Sequence, residues 1–301
     1  MQPGRFGAVL TAMVTPFAAD GSLDVDASVE VARWLAAHGS DGLVLAGTTG
    51  EGSVLTDDER RTLWRAVKEA VTVPVVAGTG TNDTAHSIEL TKAATEAGVD
   101  AVLVVTPYYS RPSQEGLLEH FSAVAGATDL PMLVYDIPVR TGRRVAASTM
   151  LRLTDRSPNV VGVKDATGDV AGAARLVAQA PDGFDLYSGD DSLTLALVAV
   201  GAVGVIAVAS HWAGRQMKEM IAAALEGNLE GAREINARLG DSYEFESSES
   251  FPNPLPAKAA CRVLGLAVGQ CRPPMGAAPP ELDGEARRVL THLGVLAGTA
   301  A

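Results

Sequence analysis

The chain contains 301 residues, 47% of them hydrophobic, and its 36 acidic and 24 basic residues give a formal net charge of −12. This length is sufficient for one large core, and α/β barrels of this size commonly form a single domain. Because acidic residues outnumber basic ones and no long basic cluster occurs, we expect neither nucleic acid nor an anionic membrane surface as a partner.

Apolar runs typical of β-strands recur at intervals of roughly 20 to 35 residues, and an amphipathic stretch follows each of them. Residues 1–6, which precede the first of these runs, lack the apolar segment of a signal peptide, so we do not expect one. This alternation predicts an α/β fold, a (β/α)8 TIM barrel. An open doubly wound sheet is the alternative, but its Gly-rich dinucleotide turn does not follow the first strand. The predicted strands are Ala8–Thr15, Gly42–Ala46, Val73–Gly78, Ala101–Thr106, Met132–Tyr135, Val160–Lys164, Asp185–Ser188 and Gly204–Ala209.

The segment Leu193–Ser210 is uncharged and of nearly membrane-spanning length. Its first part, Leu193–Val200, is helix-like, and Gly201 and Gly204 interrupt the segment. Its last part, Val203–Val208, is rich in β-branched residues. These features favour a buried helix leading into a buried strand over a membrane span.

Helical patterns without strands follow the eighth predicted strand. We therefore expect a barrel domain over residues 1–225 and a C-terminal helical appendage over residues 226–301. The acidic segment Glu244–Ser250 predicts a solvated loop, and the Pro-rich segment Phe251–Pro256 is predicted to be non-helical. The expected helices are Gln216–Glu226, Gly231–Leu239, Lys258–Leu264 and Glu281–Leu293.

The only two cysteines, Cys261 and Cys271, lie in this C-terminal part. A disulfide framework or a metal-binding knuckle needs more cysteines at closer spacing. We expect reduced, structural thiols in a cytoplasmic protein. The five histidines are scattered without the spacing of metal ligands, and no metal site is predicted.

The predicted sixth strand runs without alternation into Lys164, as an interior strand of a parallel sheet does. A lysine at the carboxyl end of such a strand is costly to bury as an ammonium, which favours the free amine that forms a Schiff base with a carbonyl substrate. The alternative is a lysine that clears the sheet and pairs with Asp165 in solvent. The local pattern leaves both interpretations open.

Other predicted strand ends carry groups that suit keto-acid chemistry, because functional residues of a (β/α)8 barrel lie at these ends. Thr48 and Thr49 stand in a glycine-rich turn whose backbone N–H groups can receive a carboxylate, although a plain structural turn is an alternative. Tyr108, Tyr109 and Tyr135 suit proton transfer, and a nearby arginine suits a carboxylate clamp. Tyrosines packed at the barrel rim are the alternative there.

Nearly the whole chain resembles the dihydrodipicolinate synthase family, within the superfamily of Schiff-base lyases that includes N-acetylneuraminate lyase. The motifs that carry this resemblance are Gly47–Glu51, Thr106–Gly116, Tyr135–Gly142, Gly162–Gly168, Ser188–Asp191 and Pro252–Lys258.

The resemblance implies that Lys164 forms a Schiff base with pyruvate and that the resulting enamine attacks the aldehyde of aspartate semialdehyde. It implies that Tyr135, Thr48 and Tyr109 relay protons, with Tyr109 supplied by a neighbouring subunit of a homotetramer. No cofactor is implied.

The resemblance also implies a substrate-binding set. Thr49 would hold the carboxylate of pyruvate, Arg140 would hold the carboxylate of the semialdehyde, and Gly189 and Ile206 would line the site. Arg140 favours this reaction over that of the sugar-acid lyases, which typically lack an arginine five residues after the tyrosine. A sugar-acid lyase or keto-acid aldolase stays an alternative, and so does a barrel that only binds or regulates.

One region departs from the family pattern. Gly52 and Ser53 follow Glu51 where the family usually has a serine, next to the site at which lysine inhibits. In this region the chain has Arg60 and His86, which are poor partners for the ammonium groups of lysine. We therefore expect weak or absent feedback inhibition by lysine. The corresponding effector-site residues are Asn82, His86, Arg60 and Tyr108.

Overall fold

The computed structural model describes residues 3–246 and 248–296. Ser247, in the predicted acidic loop, and the outermost residues of both predicted domains lie outside the described residues. No helix in the described part of the chain combines the length and the apolar character needed to cross a membrane.

Eight parallel strands form a closed barrel in sequence order, with β1 paired to β8. This confirms the predicted (β/α)8 fold. The predicted strand positions are correct, and half of the sixteen strand ends differ from the prediction by one to three residues. Strands β5 and β6 extend one residue beyond their predicted ends, whereas the other differing strands are shorter than predicted, because the chain leaves the hydrogen-bonded ladder before the apolar pattern ends. The strands are β1 Val9–Ala12, β2 Gly42–Leu45, β3 Val75–Gly78, β4 Ala101–Val105, β5 Met132–Asp136, β6 Val160–Asp165, β7 Asp185–Ser188 and β8 Gly204–Ala207.

Helices surround the barrel and begin where local capping signals stand. Thr56 and Glu59 form a capping box at the start of the second helix, and Asp83 caps the third. The helices are α1 Val25–Ala37, α2 Asp57–Ala70, α3 Thr84–Glu96, α4 Gln114–Ala125, α5 Pro138–Thr141, α6 Ala147–Arg156, α7 Val170–Gln179, α8 Thr194–Ala199 and α9 Ser210–Leu225. The long apolar segment is therefore a helix, α8, followed by a strand, β8, as predicted.

The core has two layers, one between strands and helices and one inside the barrel. Paired positions on neighbouring parallel strands point to the same face of the sheet. Tyr135 pairs with Lys164, and Lys164 pairs with Tyr187. Because both tyrosines belong to the inner layer, the side chain of Lys164 also points into the barrel.

The appendage consists of α10 Leu229–Arg238, α11 Gly240–Phe245, α12 Leu255–Val263 and α13 Pro280–His292. The prediction of a solvated acidic loop was wrong for its first part. Phe245 ends α11 and is buried, with its ring 5.7 Å from that of Trp212. The carboxyl group of Glu246 is buried beside Asp191, and burial raises its pKa well above the ordinary value.

The Pro-rich segment was also predicted wrongly in part, because α12 starts at Leu255 and contains Pro256 in its first turn. The first backbone N–H groups of a helix have no intrahelical acceptor, so proline costs little there.

Candidate active site

Lys164 and Tyr135 lie side by side inside the carboxyl end of the barrel. The Lys164 Nζ atom is 4.5 Å from the centroid of the Tyr135 ring. The lysine is only 5% exposed, so it does not clear the sheet into solvent. Asp165, one position further, points to the outer face of the strand, where it accepts a hydrogen bond from the backbone N–H of Thr167 at 2.9 Å.

The turn after β2 presents backbone donors next to two hydroxyl groups. In the described part of the chain, no acceptor is paired with the backbone N–H of Thr48 or Thr49. Thr49 is buried, and its Oγ1 accepts a hydrogen bond from Asn253 Nδ2 at 2.9 Å. Ala46 and Glu51, on either side, both have left-handed backbone conformations, with φ of 55° and 53°. These donors are arranged to receive an anionic group.

A cavity of about 380 Å³ opens at the carboxyl ends of β2 to β5. It brings together four of the eight predicted catalytic and substrate-binding residues, namely Thr48, Tyr109, Tyr135 and Arg140. Its wall also includes Ala46, Gly47, Gly52, Ser53, Arg60, Gly78, Gly80, Leu103, Val105, Tyr108, Ile137 and Thr141.

The other four, Lys164, Thr49, Gly189 and Ile206, are not part of its lining. Lys164 is joined to it by the ring of Tyr135, and Ile206 packs in the same inner layer as that ring. Gly189 donates a backbone hydrogen bond to the Asp165 carbonyl at 2.7 Å. A Cβ atom at Gly189 would lie 2.8 Å from that of Ala166, so a side chain there would displace the loop that follows Lys164.

Two residues at the mouth of the cavity are exposed. Arg140 stands in the last turn of α5 and makes no ion pair within the described residues. Tyr109 is 91% exposed and has a φ of 72°, an uncommon conformation for a residue with a side chain. The loop that carries Tyr109 is held by Arg111, whose Nε donates to the Gly142 carbonyl at 2.8 Å.

The predicted effector residues are only partly brought together. Arg60 and Tyr108 line the cavity, whereas Asn82 is exposed outside it. Arg60 is buried and donates to the carbonyl groups of Gly78 and Gly52. Burial lowers the pKa of the Arg60 guanidinium group. His86 lies outside the lining, and its Nε2 is 3.0 Å from an oxygen of Asp57.

Several polar groups near the site escaped the sequence interpretation. Asp136 directly follows Tyr135 and is buried on the outer face of β5, where burial raises its pKa to about 7. Its position at a strand end was the available signal. Asn253 and Lys258, both from the appendage, reach the turn after β2, and no local pattern in the sequence could reveal contacts over such separations. No three His, Cys, Asp or Glu side chains among the described residues are grouped to hold a metal ion.

Comparisons of the chain with known proteins all point to one family. The model of the dihydrodipicolinate synthetase family matches residues 5–293. The 4-hydroxy-tetrahydrodipicolinate synthase of Moorella thermoacetica is 48% identical over 294 residues, which is 97% of this chain and 100% of that protein.

Solved structures agree with this assignment. The dihydrodipicolinate synthase of Cyanidioschyzon merolae, solved with lysine bound, has a TM-score of 0.94 at 41% identity and covers 97% of this chain and 100% of its own. The chloride-inhibited enzyme from Acinetobacter baumannii, solved with pyruvate, has a TM-score of 0.91 at 35% identity and covers 97% of this chain and 100% of its own. The chain therefore belongs to the dihydrodipicolinate synthetase family.

Proposed function

We propose that this chain is a lyase that condenses pyruvate with L-aspartate 4-semialdehyde to give 4-hydroxy-tetrahydrodipicolinate. This reaction is the first committed step of diaminopimelate and lysine biosynthesis. The observation that carries the proposal is the amine of Lys164 held against the ring of Tyr135, beside a cavity that contains Arg140.

The proposed chemistry begins at the Lys164 amine. The amine adds to the ketone carbon of pyruvate, and loss of water gives an imine. Loss of a methyl proton gives an enamine, whose carbon forms a bond to the aldehyde carbon of the semialdehyde while the aldehyde oxygen gains a proton. The amino group of the semialdehyde then displaces the lysine amine and closes the ring. Tyr135, Thr48 and Tyr109 carry the protons in this proposal.

Two carboxylates have separate partners. The Thr49 hydroxyl accepts a hydrogen bond from Asn253, which leaves its own hydrogen free to donate to the carboxylate of pyruvate. The backbone N–H groups of the same turn add further donors. Arg140 holds the semialdehyde carboxylate through two parallel hydrogen bonds. In a chain with a net charge of −12, such local donors are needed to bind two anions.

Assembly and location are part of the proposal. The exposed Tyr109 supports a dimer in which this side chain completes the cavity of the other subunit, and two such dimers form a homotetramer. Both cysteines are free and buried, which supports a reducing compartment, the cytoplasm. We further propose that lysine inhibits this enzyme weakly or not at all, because Arg60 and His86 are basic residues at the positions that the resemblance aligns with the lysine-binding site of the family.

Borohydride trapping tests the covalent step. The enzyme is incubated with pyruvate, reduced with borohydride and analysed by peptide mass spectrometry. We expect one adduct, on Lys164. No adduct, or an adduct on another residue, would contradict the proposal, and its complete absence would favour a barrel that only binds or regulates.

The second substrate is tested in a separate assay. The values of kcat/KM with pyruvate are compared for aspartate semialdehyde and for sugar aldehydes. We expect the semialdehyde to be strongly preferred. Preference for a sugar aldehyde would identify a sugar-acid lyase instead.

A further inference from the structure

A buried ion pair joins the appendage to the turn that bears Thr48 and Thr49. Lys258 Nζ, on α12, is 2.7 Å from Glu51 Oε1, and the two side chains are 1% and 3% exposed. Glu51 follows Thr49 by two positions and holds its left-handed backbone conformation without being a glycine.

Both charged groups also contact neighbours of fixed position. The other carboxylate oxygen of Glu51 accepts a hydrogen bond from the backbone N–H of Arg272 at 2.8 Å. Lys258 Nζ also donates to the Gln270 carbonyl at 2.9 Å and lies 4.3 Å from the centroid of the Phe17 ring. A carboxylate held at both oxygens, by an ion pair and by a hydrogen bond, cannot rotate freely, so the backbone to which it belongs is held as well.

A buried ion pair contributes little net stability compared with apolar residues of similar volume, because both charges must be desolvated. Burial accordingly lowers the pKa of Lys258, while the Glu51 carboxylate opposes that shift. The Lys258–Glu51 pair is therefore better explained by the conformation that it imposes on the turn than by a gain in the free energy of unfolding. Its partners fix one arrangement of the turn, whereas an apolar contact would allow several.

We infer that Lys258 and Glu51 are positioning residues, which hold the Thr48–Thr49 turn in the conformation that binds the carboxylate of pyruvate. This inference rests on the proposed role of Thr48 and Thr49. Loss of Lys258 would also leave a buried, uncompensated carboxylate two residues from the site that must accept an anion.

The test measures the pyruvate concentration that gives half-maximal borohydride trapping on Lys164, together with the melting temperature of each variant. In Lys258→Met we expect this concentration to rise about tenfold, and in Glu51→Gln by a few-fold. In the double variant, which combines Lys258→Met with Glu51→Gln, this concentration should rise less than in Lys258→Met alone, because no unpaired buried carboxylate remains. If Lys258→Met does not fold, Glu51→Gln and the double variant are judged by the same measurement.

Arg262→Met is the matched control. Arg262 also lies on α12 and forms a part-exposed ion pair with Asp283 of α13, far along the chain from the turn. Its loss should lower the melting temperature and change half-maximal trapping less than twofold. The inference is overturned if Lys258→Met and Glu51→Gln both stay within twofold of the parent, or if Arg262→Met weakens trapping as much as they do. Failure of the parent enzyme to trap pyruvate on Lys164 would instead refute the proposed function.

Discussion

The guanidinium group of Arg140 is exposed at the cavity that also contains Thr48 and Tyr135. A guanidinium can bind a carboxylate through two parallel hydrogen bonds, whereas an ammonium acts as a point charge. In Arg140→Lys we therefore expect the KM for aspartate semialdehyde to rise roughly 10- to 100-fold, since hydrogen bonds to charged groups contribute about 1.5 to 3 kcal/mol. Steady-state kinetics with each substrate varied in turn measures this effect.

The KM for pyruvate should change much less in Arg140→Lys. The matched control is Arg144→Lys, at an exposed arginine that pairs with Asp169 outside the cavity, and it should leave both KM values nearly unchanged. An equal rise in both KM values for Arg140→Lys would contradict a specific role in binding the semialdehyde.

Asp136 predicts an unusual dependence of stability on pH. Burial is the main cause that raises its pKa from 3.8 to about 7, and Asp165 adds to the shift. A carboxyl group with a raised pKa in the folded state stabilises the protein most fully below its unfolded pKa, and that stabilisation is lost as the pH rises through the folded value. We expect Asp136→Asn, which can still accept from the Val145 N–H, to be more stable than the parent by ~3 kcal/mol at pH 8.

This advantage of Asp136→Asn should shrink as the pH falls from about 7 to about 4, where the parent side chain is neutral too. Urea denaturation at pH 8 and pH 5 measures it. Asp182→Asn, at an exposed position, is the control, and its effect should stay within about 0.5 kcal/mol at both pH values. A constant difference between Asp136→Asn and the parent at the two pH values would show that ionisation of Asp136 does not govern stability.

Individual site residues were predictable where they stand at strand ends. Lys164, Tyr135 and Thr48 follow apolar runs, and the barrel rule places such positions at one rim. Their partners were not predictable from spacing, because Asn253 lies 204 positions from the Thr49 that it contacts. Such a contact depends on the packing of two distant elements and leaves no local signal.

At the scale of elements, α2 and α3 supply the basic residues of the expected effector site. Arg60, on α2, fills its place with two hydrogen bonds to backbone carbonyl groups, and His86, on α3, pairs with Asp57. A lysine ligand would bring further positive charge beside Arg60, at a cost in free energy. We expect less than 20% inhibition at about 100 μM lysine under subsaturating pyruvate, since like-charge placement disfavours binding.

The control for this assay is a lysine-inhibited family member measured in parallel. Clear inhibition of the present enzyme at micromolar lysine would refute the expectation. Such inhibition would also imply that lysine binds through residues other than the four expected ones, which are Asn82, His86, Arg60 and Tyr108.

Elements were predictable to different degrees. The strands were found because eight apolar runs must be buried wherever they occur, and β7 was predicted with its observed ends. Helix α11 was missed because its acidic residues suggest solvent, while the burial of Phe245 against Trp212 depends on the tertiary structure. Pro256 misled the interpretation because proline breaks the interior of a helix but not its first turn.

At the scale of the whole molecule, the proposed assembly can be tested by mixing two inactive variants. In Lys164→Ala the nucleophile is missing, and in Tyr109→Phe the proton-transfer group is missing. If Tyr109 serves the other subunit, one site of each mixed dimer contains both native residues. Random mixing of equal amounts should then restore activity to about a quarter of that of the parent enzyme, as expected for a twofold-symmetric interface.

The variants are unfolded together and refolded, and the activity of the mixture is compared with the sum of the two variants refolded separately. The parent enzyme taken through the same procedure is the control for recovery. Activity equal to that sum would show that Tyr109 serves its own subunit or that no shared site exists.

Two contacts of the turn after β2 span more than two thirds of the chain, since Asn253 contacts Thr49 and Arg272 contacts Glu51 across 204 and 221 positions. During synthesis the turn leaves the ribosome early, whereas these two partners are made much later. A nascent chain that has completed all eight strands, and so could close its barrel, still lacks both of these partners. The order of translation thus separates the formation of the barrel from the completion of its anion-binding turn.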